Sequence, residues 1–543
     1  MRTPAAEPNA IGSGIRAARA RRALILLVAV ASGTAGAAQA DRGQGGFVTV
    51  SGDRFIDAAG RGIILHGANV VDKTADFSAT PWLSEGSFAS MRTWGFNCIR
   101  LAFTWASLEP SPGEYSERCL AELDRRVDWA RRNGLYVFLD MHQDLFSIRF
   151  SDGAPEWATL TDGKPHIAEG DVWSDAYLTS PAVQAAMDNF YANRPGPGGV
   201  GLQDRYARAW RRVAEHFAGN PAVVGYDLMN EPFAGSLVPR AMYLMAARLA
   251  QEPAARDGAA QADAPGILRE WGSPAGRGRI LALLEDPVLY GRVLDAAQPL
   301  LQEFDRTSLT PLFQRVTDSI RQVDRSHIIF LETGGSSNMG VLSAIGPMRG
   351  PGGGRDPLQA YAPHGYDLVT DTPAAAAASG ARVELIFERH GRTARRLGMP
   401  MLVGEWGAYY GNARALGAAQ VVCRQFERLL CGDTYWALER DLDSQPAFQA
   451  ICRPYPMCVT GRLLSYSADP QGRTFACEWR EDPAAAGESR IFIPQSYGPT
   501  RGRVMVRPAG SGFRIERVGP GSGNAYVVVP PMGRERVRRL TVE

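Results

Sequence analysis

A repeating order of apolar segment, polar loop and amphipathic segment limits the fold of this chain more than any other feature. The apolar segments predict strands at 63–69, 98–103, 137–142, 223–230, 328–332, 358–364, 401–405 and 434–438. Apolar residues at helical spacing predict helices at 115–133, 309–323 and 383–397. Strands that alternate with helices favour a parallel sheet with right-handed crossovers. Eight such units predict an α/β fold, a closed (β/α)8 TIM barrel, and an open doubly wound sheet is the alternative.

The pattern changes after residue 454, where helical spacing ends and short alternating runs begin. These runs predict strands at 474–479, 490–493, 503–507, 513–518, 525–529 and 537–542. Pro, Gly and Ser separate them, as is typical of an all-β sandwich. We therefore predict a (β/α)8 catalytic domain at 41–454 and a C-terminal β-sandwich domain at 455–543. The sandwich could brace the barrel or bind sugar or membrane, and the sequence leaves this open.

The N-terminus has the order of a secretory signal peptide. Arginines between Arg16 and Arg22 precede an apolar run at 23–31, which is followed by small residues ending at Ala40. The run is too short to span a bilayer, which needs about 20 residues. We predict a signal peptide at 1–40 and a secreted protein, extracellular or periplasmic. A disordered tail is the alternative.

Charge and cysteine content narrow the possible partners. The net charge of +2 over 543 residues gives no reason to expect nucleic acid. The pairs Cys423/Cys431 and Cys452/Cys458 are close enough in sequence to form disulfides, and the odd total of seven leaves at least one free thiol, with Cys98 as the buried candidate. The cysteine spacing does not match a zinc site, so we predict no structural metal. We also expect no cofactor.

Two carboxylates stand at the ends of predicted strands. Glu231 follows the strand at 223–230 within Asn230-Glu231-Pro232, and Glu405 ends the strand at 401–405. Two carboxylates that face one substrate are the minimum for cleaving a glycosidic bond. We assign Glu231 as the acid/base and Glu405 as the nucleophile. Taken singly, each could instead be a capping or salt-bridging carboxylate.

Further polar and aromatic residues lie at the C-terminal ends of the predicted strands, where the functional side chains of a TIM barrel are found. The substrate-binding candidates from this pattern are Arg100, His142, Asp144, Asn230, His364, Tyr366 and Trp436. The two histidines are expected to orient substrate or the acids. Most have a structural alternative: a salt bridge for Arg100, a satisfied buried histidine for His142 and His364, core packing for Trp436 and a solvated surface charge for Asp144. Glu332 is expected to give support only.

Physical chemistry suggests roles for four of these residues. Arg100 is expected to hold Glu405 as an anion and to lower its pKa, and Tyr366 can donate a hydrogen bond to the same group. Asn230 can bond to the sugar 2-hydroxyl, a contact that strengthens in the transition state. Trp436 offers a flat face on which a sugar ring can stack.

These motifs resemble those of glycoside hydrolase family 5, within clan A, over about residues 47–439. The stretch His66-Gly67-Ala68-Asn69-Val70-Val71-Asp72-Lys73 and the stretches at 142–144 and 361–364, together with the C-terminal sandwich, are similar to the endoglycoceramidase branch. That branch cuts the bond between a glycan and ceramide. The resemblance implies that Lys73 and Asp144 bind the sugar next to the cleavage point.

The expected function is that of a secreted retaining β-glycosidase acting on glycosphingolipids, as a monomer that contacts a membrane or micelle surface transiently. One alternative is a β-glucanase, mannanase or β-glucosidase of the same family. The alternative from another class is a non-catalytic carbohydrate-binding protein on the same barrel. Apolar residues that could hold the alkyl chains are Phe233, Leu237, Met242, Leu244 and Met245, although packing of an ordinary helix explains them better.

Overall fold

The computed structural model describes residues 46–170, 172–253, 263–372, 374–375, 378–519 and 521–543. The predicted signal peptide at 1–40 lies outside the described residues. The strands, in chain order, are β1 (Thr49–Ser51), β2 (Arg54–Ile56), β3 (Gly62–Ile63), β4 (His66–Val71), β5 (Cys98–Thr104), β6 (Tyr136–His142), β7 (Val223–Asp227), β8 (Ile328–Leu331), β9 (Gln359–Tyr361), β10 (Leu402–Val403), β11 (Gly432–Tyr435), β12 (Tyr455–Val459), β13 (Gly461–Asp469), β14 (Thr474–Glu481), β15 (Ser489–Ile493), β16 (Val504–Arg507), β17 (Arg514–Arg517), β18 (Ala525–Val529) and β19 (Arg536–Val542).

The helices lie mainly between the barrel strands and in two long insertions. In chain order they are α1 (Glu85–Thr93), α2 (Trp105–Leu108), α3 (Glu117–Arg132), α4 (Ala176–Thr179), α5 (Pro181–Tyr191), α6 (Leu202–Phe217), α7 (Leu237–Leu249), α8 (Ala264–Trp271), α9 (Pro274–Leu283), α10 (Pro287–Phe304), α11 (Thr310–Ile320), α12 (Gly380–Leu397), α13 (Ala415–Leu429) and α14 (Phe448–Ile451).

Strands β4 to β11 form the barrel. They make one parallel sheet in the order β10-β11-β4-β5-β6-β7-β8-β9. A bridge between Tyr361 and Met401 joins the two edge strands, so the sheet closes. The predicted (β/α)8 barrel is confirmed. The predicted first strand at 63–69 is in fact divided between β3 and β4.

Helix α3 shows how local sequence sets a barrel helix. The Ser116 side chain accepts a hydrogen bond from the Cys119 amide and caps the helix. Leu123 and Val127, spaced for one helix face, are buried. The helix ends where Gly134 takes a left-handed φ of 69°. The result directs the following chain into β6.

The C-terminal strands form two antiparallel sheets and confirm the predicted all-β sandwich. One sheet has the order β13-β14-β19-β16, and the other contains β12, β15, β18 and β17. Trp479 and Leu540 from the first sheet and Phe492 and Tyr526 from the second share one buried core. Strands β12 and β13 were not predicted. Pro456 within β12 argues against a strand when only the sequence is considered.

The N-terminal hairpin belongs to the sandwich sheet and also seals the barrel. The larger sheet runs β1-β2-β3-β12-β15-β18-β17, with β3 paired to β12. Phe55 of β2 lies 6.1 Å from Phe330 of β8, between ring centres. It is buried with Leu65 and Phe138 in a core at the N-terminal end of the barrel strands. The hairpin therefore closes the end opposite the predicted active site.

All seven cysteines are free thiols. The expectation that Cys423/Cys431 and Cys452/Cys458 could form disulfides is therefore wrong, although Cys98 is buried as predicted. The Cys423 thiol donates to the Ala450 carbonyl instead. Within the described ranges, no helix has the length and apolar character needed to cross a membrane.

Candidate active site

Glu231 and Glu405 lie side by side at the C-terminal end of the barrel. Glu231 follows β7 and Glu405 follows β10. An oxygen of each carboxylate and a ring nitrogen of His364 all lie within 4.8 Å of one another. Retaining glycosidases hold their carboxyl groups about 5–5.5 Å apart, whereas inverting enzymes need about 6.5–9.5 Å to admit a water. The pair is therefore close enough for one carboxylate to attack the sugar directly.

Both oxygens of Glu405 accept hydrogen bonds from fixed donors. Arg100 Nη1 donates to Oε1 at 2.5 Å, and the Tyr366 hydroxyl donates to Oε2 at 2.9 Å. Burial raises the pKa of Glu405, while the neighbouring His364 and Arg100 cations lower it. The net direction is upward. Arg100 lowers this pKa as predicted, but burial outweighs the two cations.

Glu231 is oriented by different partners. Asn338 Nδ2 donates to Glu231 Oε1 at 3.0 Å, and His364 Nδ1 lies 2.9 Å from the same oxygen. The Glu231 amide donates to Glu332 Oε2 at 2.8 Å. The Glu231 side chain is 16% exposed and that of Glu405 is 6% exposed, so Glu231 is the acid with easier access to water.

The backbone at Glu231 is strained. Its φ is 39°, a left-handed value that residues with a Cβ seldom adopt. Such strain persists where surrounding contacts over-determine the position, and it is common at active sites. The Gln143 side chain supplies such contacts by donating to the carbonyls of Asn230 at 2.8 Å and Glu231 at 3.0 Å.

Arg100 is the centre of a fully buried charge network. Its guanidinium lies 2.8 Å from Asp227, 2.7 Å from Glu332 and 3.0 Å from Asp140, in addition to its bond with Glu405. Burial and the Glu332 carboxylate raise the pKa of Asp227 well above its usual value, against the effect of Arg100. Arg100 thus organises several carboxylates, and its expected single contact with Glu405 was only part of its role.

His364 links the two acids to this network. Its Nδ1 lies 3.4 Å from Glu405 Oε2 and its Nε2 lies 3.2 Å from Glu332 Oε1. Burial lowers the pKa of His364, but Glu332, Glu405 and the hydrogen bond to Glu231 raise it well above the usual value. The ring is therefore cationic at neutral pH and partly balances the surrounding carboxylates.

Lys73, His142, Asp144 and Trp436 form a second polar cluster on the same rim. The Lys73 ammonium pairs with Asp144 and lies 5.0 Å from the centre of the Trp436 ring. His142 stacks on Trp436 with ring centres 5.3 Å apart and planes inclined by 18°. Burial raises the pKa of Asp144, but Lys73 and His142 lower it by more than burial raises it, so Asp144 remains an anion.

His142 and Asn230 connect this cluster to the acids. His142 Nδ1 lies 2.7 Å from Asp140, and burial and Lys73 lower the pKa of His142 while Asp140 and Asp144 raise it to about 10. Asn230 Oδ1 accepts from Arg100 at 3.0 Å, and its Nδ2 lies 3.4 Å from His142 Nε2. All ten residues predicted for the site are thus gathered at one end of the barrel.

Three groups in the described residues have the spacing of metal ligands. They are His142/Asp144/Asp152, Glu231/His364/Glu405 and Asp140/Asp227/Glu332. A protein cation already serves the first and third groups: Lys73 contacts Asp144 and Asp152, and Arg100 contacts all three acids of the last group. In the second group, the positive charge is on His364 itself, which contacts both Glu231 and Glu405.

Sequence reasoning missed or undervalued several residues of the site. Glu332 was expected to give support only, yet it bonds to Arg100, to the Glu231 amide and to His364. Asn338 was not predicted, because it lies in a loop after β8 with no motif to mark it. Asp140 and Asp227 are visible in sequence as acids inside apolar strands, a signal that could have found them.

Comparison with known sequences identifies the family. The sequence profile "Cellulase (glycosyl hydrolase family 5)" matches residues 56–441, and the profile "Glycoside hydrolase family 5 C-terminal domain" matches residues 453–532. The chain belongs to glycoside hydrolase family 5. This protein is therefore an enzyme, a glycoside hydrolase, and the alternative of a non-catalytic binding protein is set aside.

Relatives of this family 5 enzyme include the endoglycoceramidase branch. This chain is 25% identical over 500 residues to an endoglycoceramidase from Hydra vulgaris, and the match covers 84% of this chain and 82% of the relative. A solved structure of endo-glycoceramidase II from Rhodococcus sp., as a lactosyl-enzyme intermediate, is 27% identical with a TM-score of 0.66, covering 90% and 99% of the two chains. The same Rhodococcus enzyme in a ganglioside GM3 complex gives 26% identity, a TM-score of 0.67, and coverage of 91% and 100%. The expected resemblance to the endoglycoceramidase-like branch is confirmed.

Proposed function

We propose that this family 5 enzyme is a retaining β-glycosidase that cleaves the bond between the glycan and the ceramide of glycosphingolipids. The observation that carries the proposal is the approach of the Glu231 and Glu405 carboxylates to within 4.8 Å. That spacing suits double displacement and leaves too little room for an inverting water. The Rhodococcus lactosyl-enzyme structure supports the same chemistry.

In the first step Glu405 attacks the anomeric carbon. A bond forms between the Glu405 oxygen and that carbon as the glycosidic C–O bond breaks, and Glu231 gives its proton to the departing oxygen. The ceramide leaves as a neutral alcohol. Arg100 and Tyr366 hold Glu405 in the attacking position through its two oxygens.

In the second step water replaces the enzyme on the sugar. Glu231, now an anion, takes a proton from water, and the water oxygen bonds to the anomeric carbon as the bond to Glu405 breaks. Asn338 and His364 keep Glu231 oriented through both steps. Two inversions leave the sugar product with its original β configuration, and each residue returns to its starting protonation state.

The names of the relatives and an apolar helix support a lipid substrate. Besides the endoglycoceramidases, a glucosylceramidase of Aspergillus fumigatus is 29% identical over 246 residues, covering 34% of this chain and 32% of that one. Helix α7 begins shortly after Glu231 and carries half-buried Met242, Leu244 and Met245 beside exposed Tyr243. Leu244 and Met245 pack against the main core, so we propose that the surface of α7 around Met242 and Tyr243 receives the alkyl chains, during transient contact of a monomer with a membrane or micelle surface.

We also propose that residues 1–40 direct secretion and are removed. The basic residues, short apolar run and small residues ending at Ala40 support this. N-terminal sequencing of exported protein is expected to begin at Asp41. A sequence that begins at Met1 in exported material would contradict the proposal.

A substrate panel tests the lipid specificity. The purified enzyme is incubated with glucosylceramide, lactosylceramide, a ganglioside and carboxymethyl-cellulose, and free ceramide and reducing sugar are measured. We expect ceramide from at least one glycolipid and little reducing sugar from the polymer. Rapid hydrolysis of the polymer without ceramide release would favour the β-glucanase alternative; a β-glucosidase or mannanase would be recognised with a short β-glucoside or a mannan.

Two measurements test the assigned roles and the stereochemistry. Glu405→Gln should abolish turnover while leaving thermal stability close to wild type. A Glu405→Gln enzyme with full activity would rule out its role as nucleophile. NMR of the first sugar released should show the β anomer, and an initial α anomer would contradict retention.

A further inference from the structure

Three side chains from three different loops meet at the mouth of the active site. Trp173 lies between β6 and β7, Asp371 follows β9, and Tyr410 follows β10. Trp173 Nε1 donates to Asp371 Oδ2 at 3.1 Å, and the Tyr410 hydroxyl donates to Asp371 Oδ1 at 3.3 Å. Each oxygen of one carboxylate therefore holds one aromatic residue. We call this group the mouth triad.

The mouth triad is electrostatically close to the catalytic acids. Burial, and to a smaller extent the Glu231 and Asp144 carboxylates, raise the pKa of Asp371, while its bonds to Trp173 and Tyr410 lower it. On its other side, Tyr410 is near enough to Trp436 for a hydrogen bond that lowers its own pKa, against the larger effects of burial and Asp371. The triad thus borders the space that contains the two acids.

The topology makes the triad a bridge. In barrel order the strands that precede its members are the third (β6), the sixth (β9) and the seventh (β10). Trp173 and Asp371 come from loops three strand positions apart in an eight-stranded barrel. Their contact therefore reaches across part of the mouth, because the two loops are not neighbours around the barrel.

Two aromatic rings remain exposed in this bridge, and backbone strain accompanies them. Trp173 is 45% exposed and Tyr410 is 57% exposed, so both present a large part of their ring to solvent. Tyr410 has a φ of 46° and Asp371 a φ of 60°, and a left-handed tyrosine is rare. Exposed rings held by strained backbone at a pocket mouth are typical of a functional surface.

The triad is also joined to the acid/base loop by ring contacts. Trp173 lies edge-on to Tyr177 with ring centres 6.3 Å apart. Tyr177 stacks on Phe233, two positions after Glu231, with ring centres 3.7 Å apart and planes inclined by 9°. A shift of Trp173 would therefore be felt by the loop that carries Glu231.

We propose that Asp371 is a positioning residue that fixes Trp173 and Tyr410 as the aromatic walls of the pocket mouth, and so determines how tightly substrate is held before bond cleavage. Asp371 acts through the two rings. Flat aromatic faces at fixed separation provide stacking surfaces for the rings of a glycoside. This inference deepens the proposed function, but its test needs only glycosidase activity on an aryl β-glycoside.

The test compares KM and kcat for variants of the bridge, using the aryl β-glycoside that the wild-type enzyme cleaves fastest. Asp371→Ala should raise KM about tenfold, equivalent to ~1.4 kcal/mol, with kcat within about twofold of wild type. Trp173→Phe and Tyr410→Phe each keep a ring but lose a donor, and should each raise KM about threefold. Asp318→Ala on the outer surface of α11 is the matched control and should change neither constant.

A double variant separates positioning from general damage. If Asp371 acts by holding Trp173, then Trp173→Phe should add little to the KM of Asp371→Ala, because the bond is already lost. KM values within about twofold of wild type for all three single variants would overturn the proposal, as would fully additive effects in the double variant. Should Asp371→Ala fold poorly, the two Phe variants decide alone. Turnover of aryl glycosides without ceramide release would contradict the lipid specificity and leave this test intact.

Discussion

Replacing Glu332 with Gln should uncouple the acid/base from the charge network without removing either catalytic acid. Glu332 is fully buried. Its Oε1 accepts from Arg100 at 2.7 Å and lies 3.2 Å from His364 Nε2, and its Oε2 accepts from the Glu231 amide at 2.8 Å. Gln has one acceptor oxygen where Glu has two, so the amide NH2 must face a donor on one side.

The expected loss follows from these contacts. A hydrogen bond to a charged group contributes about 1.5–3 kcal/mol. Gln loses at least one such bond, and its amide NH2 faces a protein N–H donor. A total near 3–4 kcal/mol expressed in the transition state corresponds to a fall in kcat of about 10²–10³. KM should change little, because Glu332 is fully buried and its contacts are to Arg100, His364 and the Glu231 amide.

The assay is steady-state hydrolysis of an aryl β-glycoside, with thermal unfolding followed in parallel. Glu481→Gln provides a matched control. Glu481 is buried in the sandwich and, like Glu332, accepts from an arginine, Arg538, and from backbone amides, those of Met532 and Gly533. It should lower the unfolding temperature and leave kcat unchanged. A Glu332→Gln enzyme with wild-type kcat, or a Glu481→Gln enzyme with an equal loss, would refute the reasoning.

Three other predictions concern single side chains. Tyr366→Phe removes the 2.9 Å bond to Glu405 and should lower kcat about 10–100-fold, measured on the same aryl glycoside; an unchanged kcat would contradict a role in holding the nucleophile. Trp436→Ala removes the ring that faces His142 and Lys73 and should raise KM about tenfold or more, whereas an unaltered KM would exclude it as a sugar platform. Burial lowers the pKa of His390 to about 3. Since the unfolded side chain takes up a proton below about pH 6.5, His390 should make the free energy of unfolding fall as pH drops from there toward 3. His390→Gln should flatten this dependence in chemical unfolding experiments; equal profiles for wild type and His390→Gln would contradict it.

The barrel could be predicted because its strands are buried on both faces. Largely apolar runs such as 98–103 and 137–142 favour strands that are buried on both faces of a sheet. Glu231 and Glu405 were recognisable because a carboxylate at the end of such a run is costly to bury unless it is paired or has a function. Boundaries were less certain, and the structure divides the predicted strand at 63–69 between the sandwich sheet and the barrel.

What could not be predicted depends on contacts between distant parts of the chain. Asn338 reaches Glu231 from a loop 107 positions away, and Asp371 meets Trp173 across 198 positions. The net pKa direction of Glu405 likewise depends on how deeply the fold buries it. Local pattern carries no record of these distances, whereas it does record the period of a strand or helix.

The pairing of β3 with β12 has a consequence for how the molecule is made. Residues 62 and 63 pair with residues 55 and 56 on one side, but their partners on the other side, residues 458 and 459, are synthesised much later. Until then, β3 has no hydrogen-bonding partner on the edge that later pairs with β12. Nearly the whole catalytic domain must therefore be translated before this sheet can form completely. A chain cut between the barrel and the sandwich would leave an open sheet edge on both pieces.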